Sequence, residues 1–509
     1  MPVPLALLAL AAAAAAPAPA DCAALAGTSG AVVVARAEAI RPQPAWTAPA
    51  AAGPYPPMPV TVPFCRVEGT IEGSIGFELW LPKDWNGRLL GAGVGGDAGV
   101  FNYRDLSLRV AQGFAAVTTD SGHKASDPHW MRDAKARVDY EHRAVHLAAQ
   151  AAKALAARYY TRPVAHAYFS GCSGGGRQAL KEMEQYPADY DGVIAGAPGP
   201  NMPLQSVRMM WSSLAQQADP AGALSDADWT LYERRATAAC DGLDGVRDGV
   251  IDNPLRCAFR PATLLCHPGQ TADCLTAPRL AMLERIIAPM PDEKGQAMDG
   301  GLFAAVRTRP GPPSPLLREM WADAVYDNPA WDAATFRRTA DLAAINRVMP
   351  GLRADSTAIA PFIARGGKAI IYQGWQDPSV NAGPTIGFAR ALARANGGSA
   401  KLAESVRLFM VPGMYHCRGG PGADVFGGSA QAPLAGGGDG DMLWSLIRWV
   451  EQAEPPRAVI ARKLVDGKLA FTRPLCPFPE QARYRGSGAS SDAANWSCRR
   501  DAALARLAE

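Results

Sequence analysis

The sequence predicts an α/β fold in which a parallel sheet is covered by helices and interrupted by a large insertion. Three observations predict it. Apolar β-rich runs ending in Gly or Asp precede helical stretches, as in the run 114–120, the helical pattern 134–160 and the run 166–170. The same rhythm returns late, with strands over 368–372 and 406–411 and helices over 385–396 and 441–451. Between about 201 and 350 it breaks: four closely spaced cysteines, an acidic glycine-rich loop and a Pro-rich stretch at 308–315 take its place. The expected organisation is a first sheet part over 21–200, an insertion folded over it as a lid at 201–350, and a second sheet part over 351–509. That second part closes with a cysteine clasp at Cys476 and Cys498.

A chain of 509 residues with 48% hydrophobic content can bury a large core. Its net charge of +3 comes from 51 basic and 48 acidic residues interspersed along the chain, with no basic stripe that could follow a phosphate backbone, which argues against nucleic acid. The first twenty residues are an apolar run ending in Ala-Pro-Ala, the pattern of a signal peptide cut before Asp21, although no Lys or Arg precedes the run. A secreted or periplasmic product is expected. No later segment is apolar for long enough to cross a bilayer, so no membrane partner is expected. Ten cysteines form an even set suited to five disulfides. No C-x-x-C pair is present, and Cys266-His267 and His416-Cys417 each lack the second pair that a structural zinc site requires.

The segment Gly171-Cys172-Ser173-Gly174-Gly175 follows the strand at 166–170 and precedes a helix expected over 177–186. This is the strand, sharp turn and helix in which a G-x-S-x-G nucleophile sits, and it points to an α/β-hydrolase fold. Ser173 is the candidate nucleophile, and the amide of Gly174, at the helix N-terminus, is the candidate oxyanion donor. Chain order in that fold runs Ser, acid, His, which leaves His267 and His416 as possible bases. His267 lies in the cysteine-rich insertion. His416 follows the strand 406–411 in a sheet-end loop and is the better candidate. Asp377, just beyond the strand ending at 372, is the candidate acid, although an Asp before Pro378 also suits a plain turn cap. The loop 93–99 after a strand at 88–91 is rich enough in glycine for Gly95 and Gly96 to offer a second oxyanion donor. A phosphate cradle would look similar, but no Gly-Lys-Ser/Thr follows. Aspartates at 241, 244, 248 and 252, punctuated by glycines, supply the hard oxygen ligands and tight turns of a calcium loop, though the spacing is not that of an EF-hand.

Cys172 directly before the serine and Cys417 directly after the histidine make a more specific match. With the loop at 93–99, Thr119-Asp-Ser-Gly-His123, Gly196-Ala-Pro198, the acidic loop at 241–252, Gly374-Trp375, Gly413-Met-x-His-Cys417 and Arg473-Pro-Leu-Cys-Pro477, the chain resembles the tannase and feruloyl esterase family over nearly its whole expected mature length. That family includes fungal feruloyl esterases, tannases and the bacterial hydrolase of mono-hydroxyethyl terephthalate. The resemblance implies an α/β-hydrolase fold with a calcium-binding lid and disulfides Cys172–Cys417, Cys240–Cys257, Cys266–Cys274, Cys476–Cys498 and Cys22–Cys65. It implies structural calcium held by Asp241, Asp244 and Asp248 with the carbonyls of Val246 and Val250. It also implies small-molecule esters of aromatic acids as substrates: feruloyl, galloyl or terephthalate monoesters. Val94 and Asp97 depart from the Asn and aromatic residue often found in the family's glycine loop, as does Gly174 from larger residues in some members. Three other readings compete: a broad short-chain carboxylesterase, a non-catalytic calcium-binding protein on a hydrolase scaffold, and a thiol-dependent redox enzyme, which requires free thiols.

Overall fold

A computed structural model describes residues 20–49, 55–308, 311–434 and 440–509. Apart from Ala20, the expected signal segment lies outside the described residues. Ten strands form one sheet: β1 (Gly27–Ser29), β2 (Val32–Ile40), β3 (Phe64–Ile71), β4 (Ile75–Pro82), β5 (Arg88–Ala92), β6 (Ala115–Thr119), β7 (His166–Cys172), β8 (Gly192–Gly196), β9 (Lys368–Gly374) and β10 (Val406–Val411). Across the sheet their order is β1-β2-β3-β4-β6-β5-β7-β8-β9-β10. The six strands from β5 onward run parallel to one another. The sheet is nevertheless mixed rather than parallel throughout, because β1 to β4 pair antiparallel and β4 meets β6 antiparallel. Short turns such as the one through Glu72 and Gly73, both at positive φ, return the chain directly and leave no room for a crossover helix.

The parallel strands are apolar on both sides because helices cover both faces. Along β7, Phe169 packs with Val117, Leu155 and Ile371 on one face, while its neighbour Tyr168 packs with Leu90, Ile370 and Leu446 on the other. The chain passes from β5 outward to β6 and then back across to β7, on the other side of β5. At such a reversal the loops leaving two adjacent parallel strands diverge, and a crevice opens at their carboxyl ends. Here those are the loop after β5, rich in glycine, and the turn after β7, which carries Ser173.

The helix expected over 134–160 is instead three pieces: Ala134–Val138, a π-helical turn Asp139–Arg143, and Ala144–Tyr160. The buried Arg177 explains the interruption, since its guanidinium donates to the Glu141 carbonyl at 2.7 Å and the Tyr140 carbonyl at 3.1 Å. A wider helical turn leaves those carbonyls available to it. The helix starting near 441 begins where expected, with Asp441 Oδ1 accepting the Leu443 amide at 2.9 Å as its N-cap.

Among the described residues, none between β8 and β9 joins the ten-stranded sheet. This stretch contains the helices Met202–Ala218, Asp226–Cys240, Ala277–Ile287 and Arg338–Val348. Trp229, Tyr232, Leu275 and Ile286 give it a core of its own. A second cluster, with Met210, Trp321 and Ile345, packs it onto Val94, Trp130 and Tyr140 of the sheet part. All ten cysteines are paired, as Cys22–Cys65, Cys172–Cys417, Cys240–Cys257, Cys266–Cys274 and Cys476–Cys498. These are the pairs implied by the resemblance, and they leave no free thiol for the redox reading.

Glu141 in the π-turn is only 3% exposed, and its Oε1 has no protein partner. Burial pushes its carboxyl up to about 7, against the opposing pull of Arg177 and the Gly351 amide. The folded state therefore holds a proton that the unfolded chain releases near the ordinary 4.5, so this group costs stability as the pH rises through that window. Replacing Glu141 with Gln should raise Tm relative to wild type at pH 8 and change it little near pH 4. Parallel Tm–pH curves for the two proteins would refute this.

Candidate active site

Ser173 sits between the end of β7 and the helix Gly174–Gln185, at φ 61° and ψ −125°. A side chain at positive φ is strained, and such strain persists only where the surroundings enforce it. Here they do: the Ser173 amide donates to the Gly196 carbonyl at the end of β8, at 2.9 Å, and a Cβ on Gly176 would collide with that same carbonyl. The turn closes because Gly171, Gly175 and Gly176 carry no side chains. The result exposes Ser173 at a helix N-terminus, where developing negative charge is favoured.

Asp377, only 1% exposed, lies in the loop after β9. Its Oδ1 accepts the amides of Ser379 and Val380, both at 2.8 Å. Its Oδ2 receives Nδ1 of His416 at 2.8 Å and the Gln373 amide group at 3.3 Å. With Nδ1 against this carboxylate, Nε2 is the ring nitrogen left for another partner. The Cys172–Cys417 disulfide, with 6.0 Å between its Cα atoms, joins the residue before Ser173 to the residue after His416. Both Ser173 and His416 line one cavity of about 1110 Å³. His267 is exposed in the insertion and does not line that cavity.

The glycine loop is laid against the serine turn: a Cβ on Gly93 would lie 2.9 Å from Gly175 Cα. Gln178, on the helix after the serine, fixes it by accepting the Val94 amide at 3.1 Å while donating to Ser121 Oγ at 3.1 Å. Gly96, at φ 65°, borders Ser173 in the cavity and accepts the Tyr140 hydroxyl at 2.9 Å through its carbonyl. Gly95 departs from the expectation. Its amide donates to the Tyr55 hydroxyl at 2.6 Å, so that N–H is already engaged. Tyr55, Gln178 and Gln373 escaped the sequence reading: Tyr55 lies in a Pro-rich stretch far upstream, and the two glutamines act through contacts that no local spacing marks.

Beside Ser173 a narrower recess of about 140 Å³ is lined by Met202, Met209, Leu316, Leu317 and Val380. Four of these five come from the stretch between β8 and β9. Arg307 and Tyr415 face each other at the wider cavity, with the guanidinium 4.9 Å from the ring, and Tyr415 donates its hydroxyl to Glu233.

In the acidic loop, Asp241 Oδ1 accepts the amides of Asp248 and Gly249 at 3.0 Å and of Val250 at 3.3 Å, and Asp248 pairs with Arg473. Among the described residues, no group of three His, Cys, Asp or Glu side chains is arranged as a metal cage. Asp244 Oδ2 and Asp252 Oδ1 are nonetheless buried with no protein partner. Burial and the adjacent Asp244 push the Asp252 carboxyl well above its ordinary value. Two orphaned hard oxygens suit a divalent cation chemically. Asp252 was absent from the ligand set implied by the resemblance.

The relatives that share this fold and serine turn are esterases. Residues 60–307 and 318–499 match the family model for tannase and feruloyl esterase, and the chain belongs to that family of carboxylic ester hydrolases. An uncharacterized esterase of Xanthomonas campestris is 33% identical over 484 residues, covering 86% of this chain and 84% of the relative. A probable feruloyl esterase B of Emericella nidulans is 31% identical over 456 residues, 86% of each. The crystal structure of feruloyl esterase B from Aspergillus oryzae superposes with a TM-score of 0.85 at 26% identity, over 93% of this chain and 97% of that one. Tannin acyl hydrolase from Aspergillus niger, 19% identical, shares the fold with a TM-score of 0.74 over 94% and 93%.

Replacing Cys172 and Cys417 together with alanine should leave the far-UV circular dichroism near native. It should lower kcat on the order of 10²-fold, because the loops of Ser173 and His416 lose their covalent registration. Full activity in the double variant would show that the sheet alone holds the two loops.

Proposed function

We propose that the chain is a serine esterase acting on esters of aromatic acids through an acyl-enzyme, on an α/β-hydrolase fold with a calcium-bearing lid over about 201–350. The observation that carries this reading is the Asp377–His416 hydrogen bond at 2.8 Å, held by disulfide to a serine at positive φ. Ser173 Oγ attacks the ester carbonyl while His416 Nε2 takes its proton, and Asp377 stabilises the imidazolium and fixes its tautomer. The oxyanion rests on the Gly174 amide and the 93–99 loop. His416 returns the proton to the departing alcohol, and water then releases the acid by the same steps in reverse.

The apolar recess beside Ser173, with its methionines and leucines, supports a flat aromatic acyl group, as do relatives named feruloyl esterase. Calcium is assigned to the carboxylates of Asp241, Asp244 and Asp248 and the carbonyls of Val246 and Val250. The orphaned oxygens of Asp244 and Asp252 support a cation there. It would brace the lid and takes no part in the chemistry. Five disulfides support export, to the periplasm or beyond. No described helix is long and apolar enough to cross a membrane.

Wild type should hydrolyse methyl ferulate, methyl gallate or a terephthalate monoester faster than p-nitrophenyl acetate, and Ser173→Ala should lose about 10⁴-fold or more in kcat on all four. A preference for the acetate would favour a broad short-chain carboxylesterase, and an unimpaired Ser173→Ala would end the serine mechanism. Chelation with EGTA should lower Tm by several degrees, with recovery on adding calcium. An unchanged Tm would remove the metal from the lid.

A further inference from the structure

We infer that the Tyr55 hydroxyl is a catalytic donor to the oxyanion, relaying the Gly95 amide into the site. This rests on the serine-esterase reading above. Tyr55 is 6% exposed and lines the cavity shared by Ser173 and His416. A Cβ built on Gly95 would lie 2.9 Å from the Tyr55 hydroxyl and 3.4 Å from Ser173 Cβ, so the hydroxyl and the serine flank the same glycine. A phenol both accepts and donates. The Tyr55 oxygen accepts the Gly95 N–H at 2.6 Å, which leaves its own proton to be donated to a second group. The cavity is where that proton can be used.

Two properties suit the group to the role. Burial pushes the Tyr55 hydroxyl up to about 12, with the negative field of Asp105 adding to it, so it keeps its proton across the working pH range. A hydroxyl that already accepts a hydrogen bond is a stronger donor, because linked hydrogen bonds polarise one another. The chain from Gly95 N–H to Tyr55 O–H to the substrate oxygen thus delivers the loop's amide dipole through a more acidic proton than the amide itself. The oxygen it meets gains its full charge only after Ser173 has attacked, so the contact strengthens in the transition state.

The test is Tyr55→Phe, which removes the hydroxyl and keeps the ring. On the best aromatic ester it should lower kcat by about 10²-fold with KM changed less than about threefold. Affinity for an aryl boronic acid, which forms a tetrahedral adduct, should fall by a similar factor, while inhibition by the product carboxylic acid stays constant. Equal loss of boronate and product binding would mean that Tyr55 only shapes the loop, and kcat within about threefold of wild type would dismiss the role. Should Tyr55→Phe fold poorly, 3,5-difluorotyrosine at position 55 keeps the shape and acidifies the hydroxyl. An alkaline loss of kcat moved to lower pH supports donation, and an unmoved profile overturns it. Ser173→Ala run alongside separates the two readings, since unimpaired turnover there would fault the serine mechanism rather than Tyr55.

Discussion

Cys172 ends β7 and Cys417 stands in the loop beyond β10, with β8 and β9 between them in the sheet. A parallel sheet brings the carboxyl ends of all its strands to one edge, but it does not by itself set the distance between loops that leave strands three places apart. The disulfide ties the two loops at one point, with 6.0 Å between its Cα atoms. With it in place, the serine at the end of β7, the aspartate beyond β9 and the histidine beyond β10 are presented from one edge with little freedom to drift. The buried carboxylate of Asp377, held by two amides of its own loop, then fixes the histidine ring through Nδ1.

The stretch between β8 and β9 complicates this simple sheet-edge geometry. It supplies most of the apolar wall beside Ser173 and reaches the histidine loop through Glu233 and Arg307, both of which engage Tyr415, the residue before His416. The stretch that lines the recess beside Ser173 therefore also holds the loop of His416. Exchanging this insertion between relatives would disturb the His416 loop unless that contact is carried along.

What the sequence made legible follows the range of the interactions involved. The serine turn was readable because its requirement is local: small residues on both sides, a strand before and a helix after. The late strands and helices were readable from their periodicity. His416 and Asp377 could be chosen only by chain order and position, since either residue alone is unremarkable in a loop. The cysteine pairs came from family resemblance and not from spacing. Features depending on distant partners were not readable. The π-turn at 139–143 exists because Arg177 claims its carbonyls, and Tyr55 reaches Gly95 across forty positions of chain. The antiparallel start of the sheet was missed because its short hairpins lack the crossover rhythm on which the parallel assignment rested.

Because the Cys172–Cys417 bond spans 245 positions, it encloses the whole segment between β8 and β9 in a single covalent ring. A protease that nicks this ring once, anywhere between the two cysteines, makes a two-chain molecule and releases nothing. The halves of the sheet remain tethered at the active centre itself. Such a clipped enzyme would run as one species on a gel without reductant and as two with it. Proteolytic damage to the insertion and loss of the covalent link between the Ser173 and His416 loops are thus separate events.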